Sequence, residues 1–405
     1  MLRTILTAAI LFFVLCQNGR GAAVDSTQAT RLELVHADLL QGQKIGGMQV
    51  RQLNGNVKFR QGKAILTCER ALQYLDEGRT VLSGNVAFVD TVWALYGDQV
   101  IYEDGLCTTL VEGSARLVDS SRTLLAARLR YDDRTETAVA DGEVVIIDER
   151  ERSRLSGRYA EYHRATGYAR VIGRPMMSRA DSTGEGELII RGVTFELFDD
   201  GDRLVVTDSV YVQRGEIEAW CDTLYFIKAE NAVKLANAPR VRQNRQRLTG
   251  NSVKLLLRDN NITGIEIVGN AIAAALVDSA VTVATPYDLL NGERMMVYVS
   301  DDKIDSVRMT GRATSFYHVI EERVEKGLNK VLGDTLFIAF KDDEISLVRV
   351  ISSPAVSKGE FHPPMMQTAL DRELRLLLEK LGIAAELFKE SGDAVLTDER
   401  TRTEK

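Results

Sequence analysis

The sequence predicts an all-β fold, a stack of antiparallel hairpin repeats with an amphipathic helix appended at the C-terminus. Three observations predict it. A glycine-centred motif recurs in phase along most of the chain, the runs between its copies alternate apolar with polar residues, and those runs end in short acidic turns. Alternation of period 2 marks a strand with one buried face, whereas a helix repeats every 3.6 residues.

The first residues bear on compartment. Arg3 precedes an apolar run from Ile5 to Cys16, shorter than the roughly 20 residues needed to span a bilayer. The small residues Gly21-Ala22-Ala23 then offer a peptidase site, so residues 1–23 read as a cleavable secretory signal with Val24 as the new start. Lipidation of Cys16 fits less well, because the residue before a lipidated cysteine is normally small and here it is Leu15. Cleavage removes Arg3 and Arg20 and no acid, so a formal charge of −7 becomes −9, which excludes nucleic acid as a partner class. No other apolar stretch reaches the length of a membrane-spanning helix. Cys68, Cys107 and Cys221 remain, an odd number. At most one disulfide can form in an oxidising compartment, and the spacing does not say which.

The repeat itself starts with Leu53-Asn54-Gly55-Asn56-Val57-Lys58-Phe59 and returns 29 residues later as Leu82-Ser83-Gly84-Asn85-Val86-Ala87-Phe88. The same step reaches Gly113 and Gly142, and a step of 31 reaches Gly173. The landmark then changes to Asp208 and Ala238, recovers at Gly269 and Gly311 after longer steps, and ends near Ser352 and Ser353. Between landmarks runs a second motif, as in Gly97-Asp98-Gln99-Val100-Ile101-Tyr102 and Gly157-Arg158-Tyr159-Ala160-Glu161-Tyr162. Each repeat therefore holds two strands. They are joined by turns such as Leu75-Asp76-Glu77-Gly78 and Asp132-Asp133-Arg134, whose residues tolerate left-handed backbone and bond their own main chain.

No unit of this size can bury its apolar face alone, so the units must stack. The landmark glycines mark bends or bulges where a strand changes direction. At those corners Asn56, Asn85 and Asn270 are expected either to form a ladder or to serve local turns. Turn-prone residues at 175–190 suggest a boundary between a first module, 24–175, and a more divergent second one, 176–360. Beyond Pro363-Pro364, Leu370, Leu374, Leu377, Leu378 and Leu381 fall at helical spacing, predicting a helix over 365–392 that caps the open end of the strand stack or docks a partner. A charged tail, 393–405, is expected to be disordered.

Motifs that carry chemistry are scarce. His36, His163, His318 and His362 lack the paired spacing of a zinc site, and the sequence holds no phosphate-binding glycine loop, G-x-S-x-G elbow or H-E-x-x-H. Asp199-Asp200-Gly201-Asp202 superficially matches a calcium loop but lacks the distal bidentate glutamate. Paired carboxylates fall in turns, where solvent leaves them unsuited to acid catalysis. The chain is read as a non-enzyme without cofactor or metal.

The tandem G-N-V-x-F and G-D-x-V-x-Y strands, best seen at Gly55-Asn56-Val57, Gly84-Asn85-Val86 and Gly97-Asp98, resemble the OstA-like family of organic-solvent-tolerance and lipopolysaccharide-transport proteins over about Leu32 to Ser357. The resemblance implies an elongated, open, folded-over β-jellyroll whose two sheets enclose an apolar groove for acyl chains. It implies a periplasmic bridge or outer-membrane assembly component, in contact with the inner or outer membrane. Its partners would be lipopolysaccharide or another envelope lipid, and other transport components or further copies joined by end-to-end sheet stacking. The inward positions Val57, Phe59, Val86, Phe88, Val100, Tyr102, Leu129, Tyr131, Val144 and Ile146 are the groove candidates, and they would equally fill an ordinary sandwich core. The alternative function is a structural or adhesive β-solenoid that binds proteins or glycans through its outer face.

Overall fold

The computed structural model describes residues 33–383, apart from 62, 92, 104–105, 120, 133, 151, 181–186, 259–260, 278–286, 301–302, 342–343, 354–355 and 365–367. The expected signal peptide, Cys16 and the charged tail lie outside the described residues, as does the stretch 384–392 expected to continue the helix. Within them nearly every element is a strand, paired antiparallel, and the α-helix is Thr368–Lys380. The chain forms two compact units, one running to Arg214 and taking in Phe226–Ala229, the other comprising Gly215–Tyr225 and the chain from Glu230. The turn-prone stretch at 175–190 sits inside the first unit. Met176–Ala180 pairs back to Ser153–His163 and forward to Glu187–Arg191, so the hydrogen-bonded ladder runs through it.

In the first unit, Met48–Gln61, Ala64–Tyr74, Arg79–Val89, Ala94–Glu103, Thr108–Val118, Arg122–Asp132, Thr137–Asp148 and Ser153–His163 each pair with the next. The four that carry a landmark glycine, Met48–Gln61, Arg79–Val89, Thr108–Val118 and Thr137–Asp148, turn left-handed at the predicted corner. At Gly84 (φ +80°) and Asn85 (φ +46°) two successive residues are left-handed. There Ser83 and Val86, three apart, face Gln99 and Gly97, two apart, which is the one-residue excess of a β-bulge. The same left-handed pair recurs at Gly55–Asn56, Gly113–Ser114, Gly142–Glu143, Gly173–Arg174, Gly269–Asn270 and Gly311–Arg312.

Where the glycine is missing, the conformation survives. Asp208–Ser209 (φ +63° and +53°) and Asn237–Ala238 (φ +60° and +55°) occupy the same left-handed region. A non-glycine residue there costs roughly 1–2 kcal/mol, which the hydrogen-bonded strands on either side must offset. The corner asparagines reach sideways instead of stacking into a ladder: Asn56 donates to Asp38 at 2.9 Å, Asn85 to Glu69 at 2.6 Å and Asn270 to Asn251 at 3.2 Å.

Opposite the bulges of its two neighbours, the strand Ala64–Tyr74 slips in its apolar pattern. Its buried positions are Ala64, Leu66 and Cys68, and then Ala71, a step of three in place of two. Crossing the corner shifts the phase once, so both arms of the bent strand turn their apolar side to the same interior.

The helix corrects an expectation. The leucine spacing predicts helix to 392, yet it ends at Lys380 because Gly382 adopts φ +76°. Ile383 N–H then donates to the Leu378 carbonyl at 3.0 Å and Gly382 N–H to that of Glu379 at 2.9 Å, the two bonds of a Schellman motif. Nor does the helix cap an open strand edge. It lies across a sheet face in the second unit, against residues of Asn261–Leu276, Tyr287–Ser300, Lys303–Glu321 and Val324–Lys341.

Candidate functional site

The ten groove candidates fall on the two arms of the first unit. Val57, Phe59, Val86, Phe88, Val144 and Ile146 follow a corner, and Val100, Tyr102, Leu129 and Tyr131 belong to the opposing arm, where Val100 pairs with Leu82 and Leu129 with Ala140. Eight are buried, between 0% exposed for Val57 and 6% for Val100 and Tyr131, while Phe88 and Tyr102 are half-buried. A single sheet would leave this face in water. Near-zero exposure on both sides of the corner means that the arms close on each other.

The closure is tight. A small pocket beyond the ten candidates, lined by Ser153, Leu155, Met177, Phe195, Leu197 and Leu204, holds about 10 Å³, at the limit for one water. Phe88 is covered from one side by Trp93, whose ring stacks on it at 5.0 Å with 10° between planes. Alternation could not have flagged Trp93, since it stands in a turn that folds back over the strand.

In the second unit the equivalent wall has a different cover. Ile272, Ala274, Tyr287, Leu289, Phe316 and Leu328 pack against the helix residues Leu370, Leu374, Leu377, Leu378, Leu381 and Ile383 in one buried cluster. Each fully buried Leu, Ile or Phe contributes roughly 1.5–3 kcal/mol, so the helix is held by apolar area more than by polar bonds. At its margin Lys330 Nζ lies 2.6 Å from Glu373 of the helix and 5.3 Å from the centre of the Phe316 ring. The Arg240 guanidinium lies against Gly382 at the helix C-terminus, where a cation is favoured. Helical spacing of the leucines was legible; their partners, brought together from four strands, were not.

The titratable groups are mostly engaged with neighbours. His36 contacts Asp38 at 3.1 Å, His163 contacts Thr137 at 3.3 Å and His362 contacts Glu360 at 3.4 Å. His318 is fully buried, with Nδ1 2.8 Å from Asp288 and an unbonded Nε2 3.9 Å from Glu325. Asp199 pairs with Arg203 and Asp202 with Lys228, which commits two carboxylates of the calcium-like turn to cations. Cys68 and Cys221 are buried free thiols, and burial pushes both up to about 11, so they resist forming thiolate. On the outer face Tyr168 donates to Glu196 at 2.8 Å, and burial together with that carboxylate pushes the phenol up to about 12. An outer cleft of about 550 Å³ is lined by Arg170, Arg174 and Arg191 with Ile172, Met176 and Val193.

Comparison with known proteins gives a partial match. Residues 29–172 match the family of OstA-like proteins. Among solved structures the chain is similar to LptH from Pseudomonas aeruginosa, described as the LptA-homologous periplasmic component of the conserved lipopolysaccharide transport device. It is 17% identical over 36% of this chain and 92% of that one, with a TM-score of 0.27. No curated protein matches the chain.

Proposed function

We propose that this chain, OstA-like over residues 29–172, is a periplasmic, non-catalytic carrier that shields acyl chains of lipopolysaccharide between the arms of its bent strands. One observation supports the reading most directly: an apolar interior held in phase through successive corners, at the price of left-handed backbone even where glycine is absent. A hydrocarbon chain of about twelve methylenes exposed to water costs on the order of 10 kcal/mol, so a lipid crossing an aqueous space needs such a shield.

Both terminal strand edges suit end-to-end stacking. Glu33–His36 and Leu39–Ile45 pair, among the described residues, with Met48–Gln61 alone, and Leu34, Val35, Leu39, Leu40 and Ile45 are 41–53% exposed. Glu344–Ile351 and Lys358–His362 pair, among the described residues, with Val324–Lys341 alone, and Leu347, Val348, Ile351 and Phe361 are 42–54% exposed. Unpaired edges with apolar side chains invite a further strand.

A second reading, a structural solenoid that binds proteins or glycans outside, is favoured by the closed interior of the first unit and by the arginine-lined outer cleft. Photo-crosslinking in cells from Phe88 and Tyr102, the two half-buried candidates, separates the readings. Lipid adducts at both are expected from the carrier, and their absence at both favours the solenoid. Depletion of the protein should stall lipopolysaccharide at the inner membrane; normal surface lipopolysaccharide after full depletion would sink the carrier reading.

A further inference from the structure

We propose that the apolar face beneath the helix Thr368–Lys380 is a binding site for an anionic, acyl-bearing lipid, and that the helix is its resident occupant, leaving as the lipid enters. The proposal rests on the carrier reading above, but it names a site outside residues 29–172 and gives the helix a role in access to it.

The floor of the site is built. Ile272, Ala274, Leu289, Phe316 and Leu328 project from four adjacent strands and are at most 3% exposed, buried in one cluster with the helix. In the first unit the matching wall is covered by the other arm of the same strands, so uncovering it means unbending the sheet. Here the cover is a separate segment that follows the last strand, Lys358–His362, and Pro363-Pro364. It can depart while the strand ladder stays paired.

The contact chemistry is exchangeable. Leucine side chains and methylenes satisfy an apolar floor equally, because the attraction depends on area and has no direction. A helix of this length runs roughly 20 Å, long enough to protect a floor that would take an extended acyl chain. The charge at the margin selects the ligand. Lys330 is only 14% exposed, and the helix supplies the Glu373 carboxylate beside it. Its strand neighbour Glu360 is already held by Lys358 and His362. When the helix leaves, the Lys330 ammonium, seated over the Phe316 ring at the edge of the apolar floor, loses its closest anion, and an anionic headgroup such as a phosphate or carboxylate replaces it.

The test uses the purified full chain with cis-parinaric acid as an anionic acyl probe and its methyl ester as the uncharged control. Leu374→Glu combined with Leu377→Glu weakens the helix without touching the floor, and should raise affinity for the acid at least tenfold. In that background Lys330→Gln should lower affinity for the acid several-fold and leave the ester unchanged. Adding the acid to the wild-type chain should speed amide exchange across 370–381. If the double variant loses its strand signal in circular dichroism, Glu373→Lys, which only reverses the charge opposite Lys330, should give a smaller gain of the same sign. A folded variant that binds the acid no better than wild type overturns the site. Equal loss of acid and ester on Lys330→Gln overturns the headgroup assignment. Both readouts use a free probe on purified protein, so either failure is distinguishable from failure of the carrier reading, which the depletion experiment reports.

Discussion

In the first unit Phe59 and Leu82 are buried from the two arms of bent strands, whereas in the second Phe316 and Leu289 are buried by leucines of a helix that arrives from the end of the chain. The walls are alike in composition and in their position relative to the corner. Their covers differ in what holds them. An arm is hydrogen-bonded to its neighbours along its whole length, so it opens only if many backbone bonds are strained together. The helix satisfies its own backbone internally and is retained chiefly by side-chain burial, so it belongs to the part of the molecule that opens at low cost.

The difference can be broken experimentally. Phe59→Ala, in the arm-on-arm core, should cost about 3–5 kcal/mol and lower the urea midpoint of the strand signal. An unchanged midpoint would mean that the arms are not packed on each other. Leu378→Ala, under the helix, should cost about 2–5 kcal/mol by the same cavity argument, but the loss should appear as faster amide exchange confined to 370–381. Exchange rising equally throughout the second unit would show that the helix and its floor unfold as one body.

Smaller effects sharpen the role of the corners that both units share. At Gly113 (φ +73°) an added Cβ would sit 2.2 Å from Asp98 Oδ2, so Gly113→Ala should destabilise by roughly 1–3 kcal/mol. Ala238→Gly, at φ +55°, should stabilise by up to about 1 kcal/mol, and paired denaturant curves would reveal the opposite signs. The smallest change is Glu373→Gln, which removes the partly exposed bridge to Lys330. It should cost about 0.5–1 kcal/mol, and a larger loss in thermal unfolding would mean that the bridge matters more than the leucines.

Much of this could be read from the residues in order. The strands, their acidic turns and the corner positions from Gly55 to Gly311 follow from period-2 alternation and a repeated glycine, because both are local consequences of backbone sterics. The left-handed pairs at Asp208–Ser209 and Asn237–Ala238 kept the phase without the glycine, which shows that the spacing of the repeat carried more information than the residue at its landmark. The helix stop was also on the page, in Gly382, but a run of leucines drew the expected boundary past it.

What the sequence could not decide is which apolar faces meet. Val57 and Leu374 are both apolar residues at the proper period, and nothing local distinguishes a side chain that meets the other arm from one that covers a face contributed by four distant strands. Burial is a property of pairs of surfaces. Its driving force is proportional to area and blind to partner, so periodicity determined that these residues turn inward while the tertiary structure alone decided that one wall meets the opposing arm and the other meets a helix.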